Sequence, residues 1–243
     1  VPAAIRIVLI DTTHPGNIGA VARAMKNMAL DDLALVRPAS FPHAEATARA
    51  SAAADVLEKA RVCATLEEAI ADCGLIVGAT ARPRQQHWSV LEPRAAAAKI
   101  WQEGARVPAA ILFGSERVGL SNEELEKCQW LVRIPANPAY ESLNVAMAVQ
   151  VICYELHIAR GRTLPSEQRE VPLATATEMQ RLYEHLEEVM TEAGFHDRTE
   201  SGMHLMGRLR RLFNRAEPDQ NEVNILRGLL TAIQGRRRRA GQP

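Results

Sequence analysis

The sequence predicts an α/β fold, a mostly parallel sheet covered by helices, followed by a small α-helical C-terminal domain. Three observations carry this. Through about the first 160 residues, short continuously apolar runs alternate with helical patterns, as parallel strands buried on both faces require. Over 161–174 the pattern breaks into a polar stretch with Pro165 and Pro172, which reads as a linker. Beyond it, over 175–243, the remaining apolar positions recur at helical spacing. The domain boundaries read from this are 1–160, a linker over 161–174, and a basic helical domain over 175–243.

In order, IRIVLID (5–11) is a buried strand, and 17–29 a helix with apolar positions at Ile18, Val21, Ala22, Met25 and Met28. DLALVRP is a strand, an Ala-rich helical stretch follows, VCAT is a short strand and LEEAIADC a helix. GLIVGATA (74–81) is a further buried strand, 93–101 a helix, and PAAILFGS a strand. SNEELEKC is a short helix capped by Ser121, WLVRIP a strand, and LNVAMAVQVICYELHIAR a long helix. That helix is apolar nearly all round (Leu143, Val145, Met147, Val149, Val151, Ile152, Leu156). It is expected to be buried, either in its own core or against a second copy in a homodimer. Three C-terminal helices are expected over 178–193, stopped by Gly194, over 201–215, and over 222–234, stopped by Gly235.

Composition narrows the class. Aromatic residues make up 4% of the 243, so the core rests on Ala, Val, Leu and Ile. The formal net charge is zero, yet from Arg208 onward nine arginines face three acidic residues, a surplus of six positive charges. Such asymmetry fits nucleic acid or an anionic surface, and equally a solvated tail. Cys63, Cys73, Cys128 and Cys153 show no metal-ligand spacing and read as small hydrophobes of a reducing compartment. No metal site is expected. No charged-then-apolar stretch opens the sequence and no apolar run in it reaches membrane length, so a cytoplasmic protein is the default expectation.

Ligands of open α/β sheets bind at the carboxyl ends of the strands, and the informative loops lie there. The first, DTTHPGNIGAVAR, lacks the GxGxxG spacing of a dinucleotide site, and Arg37 stands at the end of the second strand where an acid is needed. The second, GSERVGLS, has the glycine spacing of a phosphate loop but Leu120 in place of the lysine. Glu116 within it can cap the next helix or contact a ligand. The third, IPANPAYESLN, is stiffened by Pro135 and Pro138 and presents Asn137, Tyr140, Glu141, Ser142 and Asn144 at a helix N-terminus, which suits a polar, nucleoside-like ligand. Ser142 as the N-cap of the long helix is the alternative role for that hydroxyl. Thr80 and Ala81, ending the fourth strand, share this edge. These features reach a small-ligand site but no reaction.

Together and in this order the loops resemble the three motifs of the SPOUT class of RNA methyltransferases, in its ribose 2′-O-methylating branch. The matching residues are Asn17 and Arg23; Gly114, Glu116, Gly119, Leu120 and Ser121; and Ile134, Pro135, Ser142, Leu143 and Asn144. The resemblance covers about residues 5–160. It implies a deep trefoil knot in the C-terminal part of the sheet domain and S-adenosylmethionine bound by Ala79, Thr80, Ala81, Gly114, Glu116, Ile134, Glu141, Ser142, Leu143 and Asn144. It also implies a homodimer through the long helix, with Arg23 reaching the partner's cofactor. The substrate it implies is tRNA, at a cytidine or uridine of position 32 in the anticodon loop; another tRNA position, rRNA, or a non-catalytic RNA-binding relative are the alternatives. Ser115 departs from the arginine common at that place in the family.

Arg23, Ser142 and Asn17 are then the expected catalytic residues. A guanidinium stays protonated, so Arg23 is expected to orient the target phosphate and ribose while Ser142 and Asn17 position the hydroxyl. Arg208, Arg210, Arg211 and Arg215 are expected to join Arg23 in contacting RNA.

Overall fold

The computed structural model describes residues 4–81, 88–103, 107–160, 171–195 and 205–240. Among them seven strands form one parallel sheet: β1 (Ile5–Ile10), β2 (Asp32–Val36), β3 (Arg61–Cys63), β4 (Leu75–Ala79), β5 (Val90–Leu91), β6 (Ala109–Phe113) and β7 (Trp130–Val132). Their order is β3-β2-β1-β6-β4-β7-β5. The helices are α1 (Pro15–Asn27), α2 (Ala44–Ala50), a 3-10 turn (Ser51–Ala53), α3 (Ala54–Glu58), α4 (Leu66–Ile70), α5 (Pro93–Glu103), α6 (Asn122–Leu125), α7 (Val145–Ala159), α8 (Ala176–Glu192), α9 (Leu205–Ala216) and α10 (Gln220–Ala240). β5 is an addition to the strands read from the sequence; two residues are too few to show a period.

Alternation along β1 sorts the helices into two layers. Ile5, Ile7 and Leu9 face a core shared with α1, α2, α3, α5 and α7, whereas Val8 and Ile10 face α4 and α6. Every residue of β1 is therefore buried, which is why the strand reads as an unbroken apolar run. Truncating Ile7, wholly inaccessible to solvent, to alanine is expected to cost about 2–5 kcal/mol. The exception in β1 is Arg6. Its buried guanidinium is held by Asp32, by Asp72 and by the carbonyl of Ala69, tying β1, β2 and α4 together.

Helix ends follow their capping residues. His14 caps α1 by accepting from the Gly16 N–H, and Pro15 takes a first-turn position, so α1 begins two residues before the expected Asn17. Ser121 caps α6 in a reciprocal capping box with Glu124. Gly194, with φ +65°, follows the end of α8. Gly235, by contrast, does not stop α10, which runs on to Ala240. A glycine inside an exposed helix costs only about 1 kcal/mol relative to alanine, too little to end a helix of 21 residues. The expected start of α9 at 201 lies outside the described residues, as do 161–170 of the expected linker.

α7 is not buried on all sides. Val149, Ile152, Cys153 and Leu156 enter the core, but Met147, Tyr154 and Ile158 are exposed. The three C-terminal helices share a core of their own around Leu182, Tyr183 and Val223. They also dock on the sheet domain: the Ala176 N–H donates to the Cys73 carbonyl, Asn214 Nδ2 to the Glu126 carbonyl, and Lys99 pairs with Glu217. Leu173, at the end of the expected linker, is buried in the sheet domain's core.

Candidate active site

The sheet order decides which loops meet. Because β6 inserts between β1 and β4, the loop after β1 lies beside the loop after β6, and the loop after β7 completes the edge. This is the crevice where an open α/β sheet binds ligands. A cavity of about 360 Å³ occupies it, within the range typical of small-molecule sites. All ten residues expected to hold a cofactor line it: Ala79, Thr80 and Ala81 after β4, Gly114 and Glu116 after β6, Ile134 after β7, and Glu141 to Asn144 before α7. Phe113, Leu120 and Val132 add apolar walls. Arg117 also lines the cavity, a residue that sequence reasoning passes over; it sits inside GSERVGLS, beside the more conspicuous glutamate.

Local chemistry shapes each loop. In the second, the Gly119 N–H donates to the Ser115 carbonyl at 2.9 Å and folds the segment back on itself. Gly119 has φ +72°, and a Cβ on Gly114 would lie 2.2 Å from the Gly119 carbonyl carbon. The two glycines are thus required by a left-handed turn and by close backbone approach. Ser115, standing in the arginine's usual place, lies in this turn, its hydroxyl accepting from the Val118 N–H at 3.4 Å. In the third loop Asn137 stabilises a turn, its side chain accepting from the Ala139 N–H and its carbonyl from the Tyr140 N–H. An Arg133–Glu141 ion pair anchors the loop to the end of β7.

One hydrogen-bonded chain joins all three loops. Asn144 accepts from the Ala146 N–H and so is the N-cap of α7, the role considered for Ser142. Its Nδ2 donates to Asn17 Oδ1 at 3.1 Å, and Asn17 Nδ2 donates to Glu116 Oε1 at 2.9 Å. Glu116 Oε2 accepts from both the backbone N–H and the hydroxyl of Thr13. Glu116 therefore caps α6 no more than Ser142 caps α7; it holds the first loop. Partial burial pushes its carboxyl up, but the donors from Asn17, Thr13 and His14 outweigh this and hold it below its ordinary value.

The expected catalytic residues part company. Asn17 joins the loops through both amide atoms, and one N–H and one lone pair of the amide remain beyond those two bonds. Ser142 is exposed in the cavity and its hydroxyl has no partner among the described residues. Arg23 is exposed on α1, has no ion pair among the described residues, and does not line its own chain's cavity. Among the basic residues of α9, Arg208 and Arg215 are exposed. Arg210 instead packs over the Tyr183 ring at 4.5 Å and donates to Gln180, lining a second cavity of about 260 Å³ between the two domains. Arg211 lies 5.8 Å from the Trp88 ring centroid. Both residues are half-buried, each beside an aromatic ring.

No group of three or more His, Cys, Asp or Glu able to hold a metal ion occurs among the described residues, and no described helix is long and apolar enough to cross a membrane.

The SpoU rRNA methylase family matches residues 4–154, the sheet domain, and the C-terminal domain of the tRNA methyltransferase TrmJ matches residues 177–243. The tRNA (cytidine/uridine-2′-O-)-methyltransferase TrmJ of Sodalis glossinidius is 48% identical over 236 residues, covering 95% of this chain and 91% of the relative. The enzyme of the same name from Yersinia pestis is 46% identical over 235 residues, with the same coverage of both. The crystal structure of TrmJ from Z. mobilis superposes with a TM-score of 0.83 at 34% identity, covering 96% of this chain and 99% of that one. Motif loops, sheet order and these likenesses agree, and the chain belongs to the SpoU methylase family.

Proposed function

We propose that this protein transfers a methyl group from S-adenosylmethionine to the ribose 2′-hydroxyl of a cytidine or uridine in tRNA. The observation that carries the reading is the convergence of the three motif loops on one cavity, locked by the Asn144–Asn17–Glu116 chain, in a protein whose relatives of 46–48% identity bear that activity in their names. The cavity fits the cofactor. Its walls combine apolar side chains with polar residues such as Thr80, Ser142 and Asn144, and the glycines at 114 and 119 keep their stretch of wall free of side chains. Bound there, S-adenosylmethionine supplies an electrophilic methyl group.

A ribose hydroxyl is a weak nucleophile near neutral pH, so what the protein contributes is position. Ser142, exposed at the cavity and without a hydrogen-bond partner among the described residues, is our candidate to orient the attacking hydroxyl. Glu116 is a poor candidate for the base, because its carboxylate is already saturated by donors of the first loop. Arg23 is permanently cationic and cannot take a proton; its guanidinium suits the phosphate next to the target ribose. The proton then passes to water.

Arg23 lies outside its own cavity while α7 exposes a second apolar face, so we read the active unit as a dimer in which Arg23 serves the neighbouring site. The knotted path belongs to the same reading, with the segment from β6 to α7 as its threaded part. Arg208 and Arg215 are the basic side chains of α9 left to meet tRNA phosphates. Position 32 of the anticodon loop is the proposed target, and the cytoplasm the proposed compartment. Mass-spectrometric mapping of tRNA from cells with and without the protein tests the whole reading. A 2′-O-methyl group at one pyrimidine should vanish with the protein, and an unchanged tRNA modification map would refute it.

A further inference from the structure

α10 carries an apolar ridge that no described part of the chain covers. Its inward side, with Val223, Leu226 and Leu230, packs into the core shared with α8. On the outward side Ile225 is 70% exposed, Leu229 58% and Ile233 39%. Residues four apart advance by about 40° around a helix, so these three form one shallow ridge of the kind that packs on a like ridge of another helix. Gly228 and Ala232 flank it on the exposed side, and a Cβ added at Gly228 would meet nothing within 4 Å. A second backbone can approach closely there.

The ridge is self-complementary. Ile225 and Ile233 stand four residues to either side of Leu229, and Glu222 and position 236 stand seven to either side. Turned about a two-fold axis through Leu229, a second α10 runs antiparallel and sets Ile225 of each copy against Ile233 of the other. The end that begins with Asp219 and Glu222 then lies beside the end where the sequence carries Arg236 to Arg239. A parallel pairing would set four arginines against four. Three aliphatic side chains offer an RNA neither phosphate donors nor a stacking surface. An isologous contact of this kind is the commonest way soluble chains associate.

We propose that α10 is a self-association surface, pairing antiparallel with α10 of a second copy of this chain with Leu229 on the two-fold axis. The contact is distinct from α7, and it does not depend on the methyl-transfer reading. The test is cysteine cross-linking of the full chain in a Cys63→Ser background, the other three cysteines being buried. Leu229→Cys should cross-link to itself. Ile225→Cys mixed with Ile233→Cys should do so about tenfold or more faster than either alone, and than the exposed control Thr231→Cys, because proximity sets the rate. Leu229→Glu, at an exposed position, should keep the wild-type circular dichroism spectrum and reduce the assembled fraction on sedimentation. Ile225→Cys cross-linking alone as fast as the mixture overturns the antiparallel register. A Leu229→Glu variant that assembles normally but binds tRNA more weakly overturns the partner and makes the ridge an RNA surface.

Discussion

Asn17 donates to Glu116 across 2.9 Å, and this bond joins two loops whose residues stand 99 apart in the chain. With Asn144 bonded to the same amide, the geometry of the cavity depends on a side chain that does not line it.

Glu116→Gln should loosen that junction. A glutamine offers one acceptor where the carboxylate satisfies several donors, and losing charge-assisted bonds of this kind costs about 1.5–3 kcal/mol at most, less for a solvent-accessible group. Cofactor affinity measured by calorimetry should fall by about tenfold. The pH dependence has a definite sign. The folded carboxyl is held below its ordinary 4.5, so its contribution is complete above that value and fades as pH falls through the lower folded pKa. Wild-type affinity should therefore hold down to about pH 4.5 and drop below it, and the Gln variant should lack this acid limb. The same acid limb in both proteins would rule out a role for the Glu116 carboxylate.

Gly114→Ala should damage the second loop more than Gly119→Ala. At Gly114 the new methyl meets the Gly119 carbonyl carbon at 2.2 Å, so the backbone must open, at about 1–3 kcal/mol. At Gly119 nothing lies within 4 Å, and only the left-handed conformation is penalised, by about 1 kcal/mol. Thermal melting should rank the variants in that order, with cofactor binding lost first at Gly114.

Arg23→Lys should fold normally, since Arg23 is exposed and unpaired among the described residues, and should lose turnover by about a hundredfold as the planar fork is replaced by a point charge. Ser142→Ala should lower kcat by about tenfold or more while changing cofactor affinity little. Tritium transfer from labelled cofactor into bulk tRNA reads both. A well-folded Arg23→Lys enzyme with near-normal turnover would end the case for the guanidinium.

Met147→Glu should separate the proposed α7 dimer, because it sets a charge on the exposed apolar face without entering the core. Sedimentation should show a lighter species, and mixing this variant with wild type should not restore its activity. A wild-type sedimentation profile for Met147→Glu would return the α7 face to a solvent-exposed patch.

Arg208→Ala and Arg215→Ala should weaken tRNA binding and reduce the magnitude of its salt slope by about one for each phosphate no longer neutralised, leaving melting unchanged. Arg210→Ala should lower the melting temperature and change tRNA affinity less, since its guanidinium stacks on Tyr183 and bonds Gln180. Equal effects of all three on tRNA affinity would contradict the division.

Much of this protein is legible in its sequence. Strands such as 5–10 show as continuous apolar runs because both sheet faces are covered, and the caps at Ser121 and Gly194 are local chemistry that needs no distant partner. The three loops are legible at the strand ends, the residues expected around the cofactor are those the family resemblance implies, and they line the cavity. What the tertiary structure alone decided are relations between residues far apart. Asn17 meets Glu116 and Asn144, 99 and 127 positions away, only because β6 inserts beside β1. Asn144 rather than Ser142 caps α7, with Asn144 bonded to Asn17 of a distant element; Arg208 and Arg210 stand on opposite faces of α9, and only the docking of α9 against α8 decides which of those faces turns inward. Local sequence sets which elements form and what their ends carry; which of those ends touch is set by sheet order, a property of the whole chain.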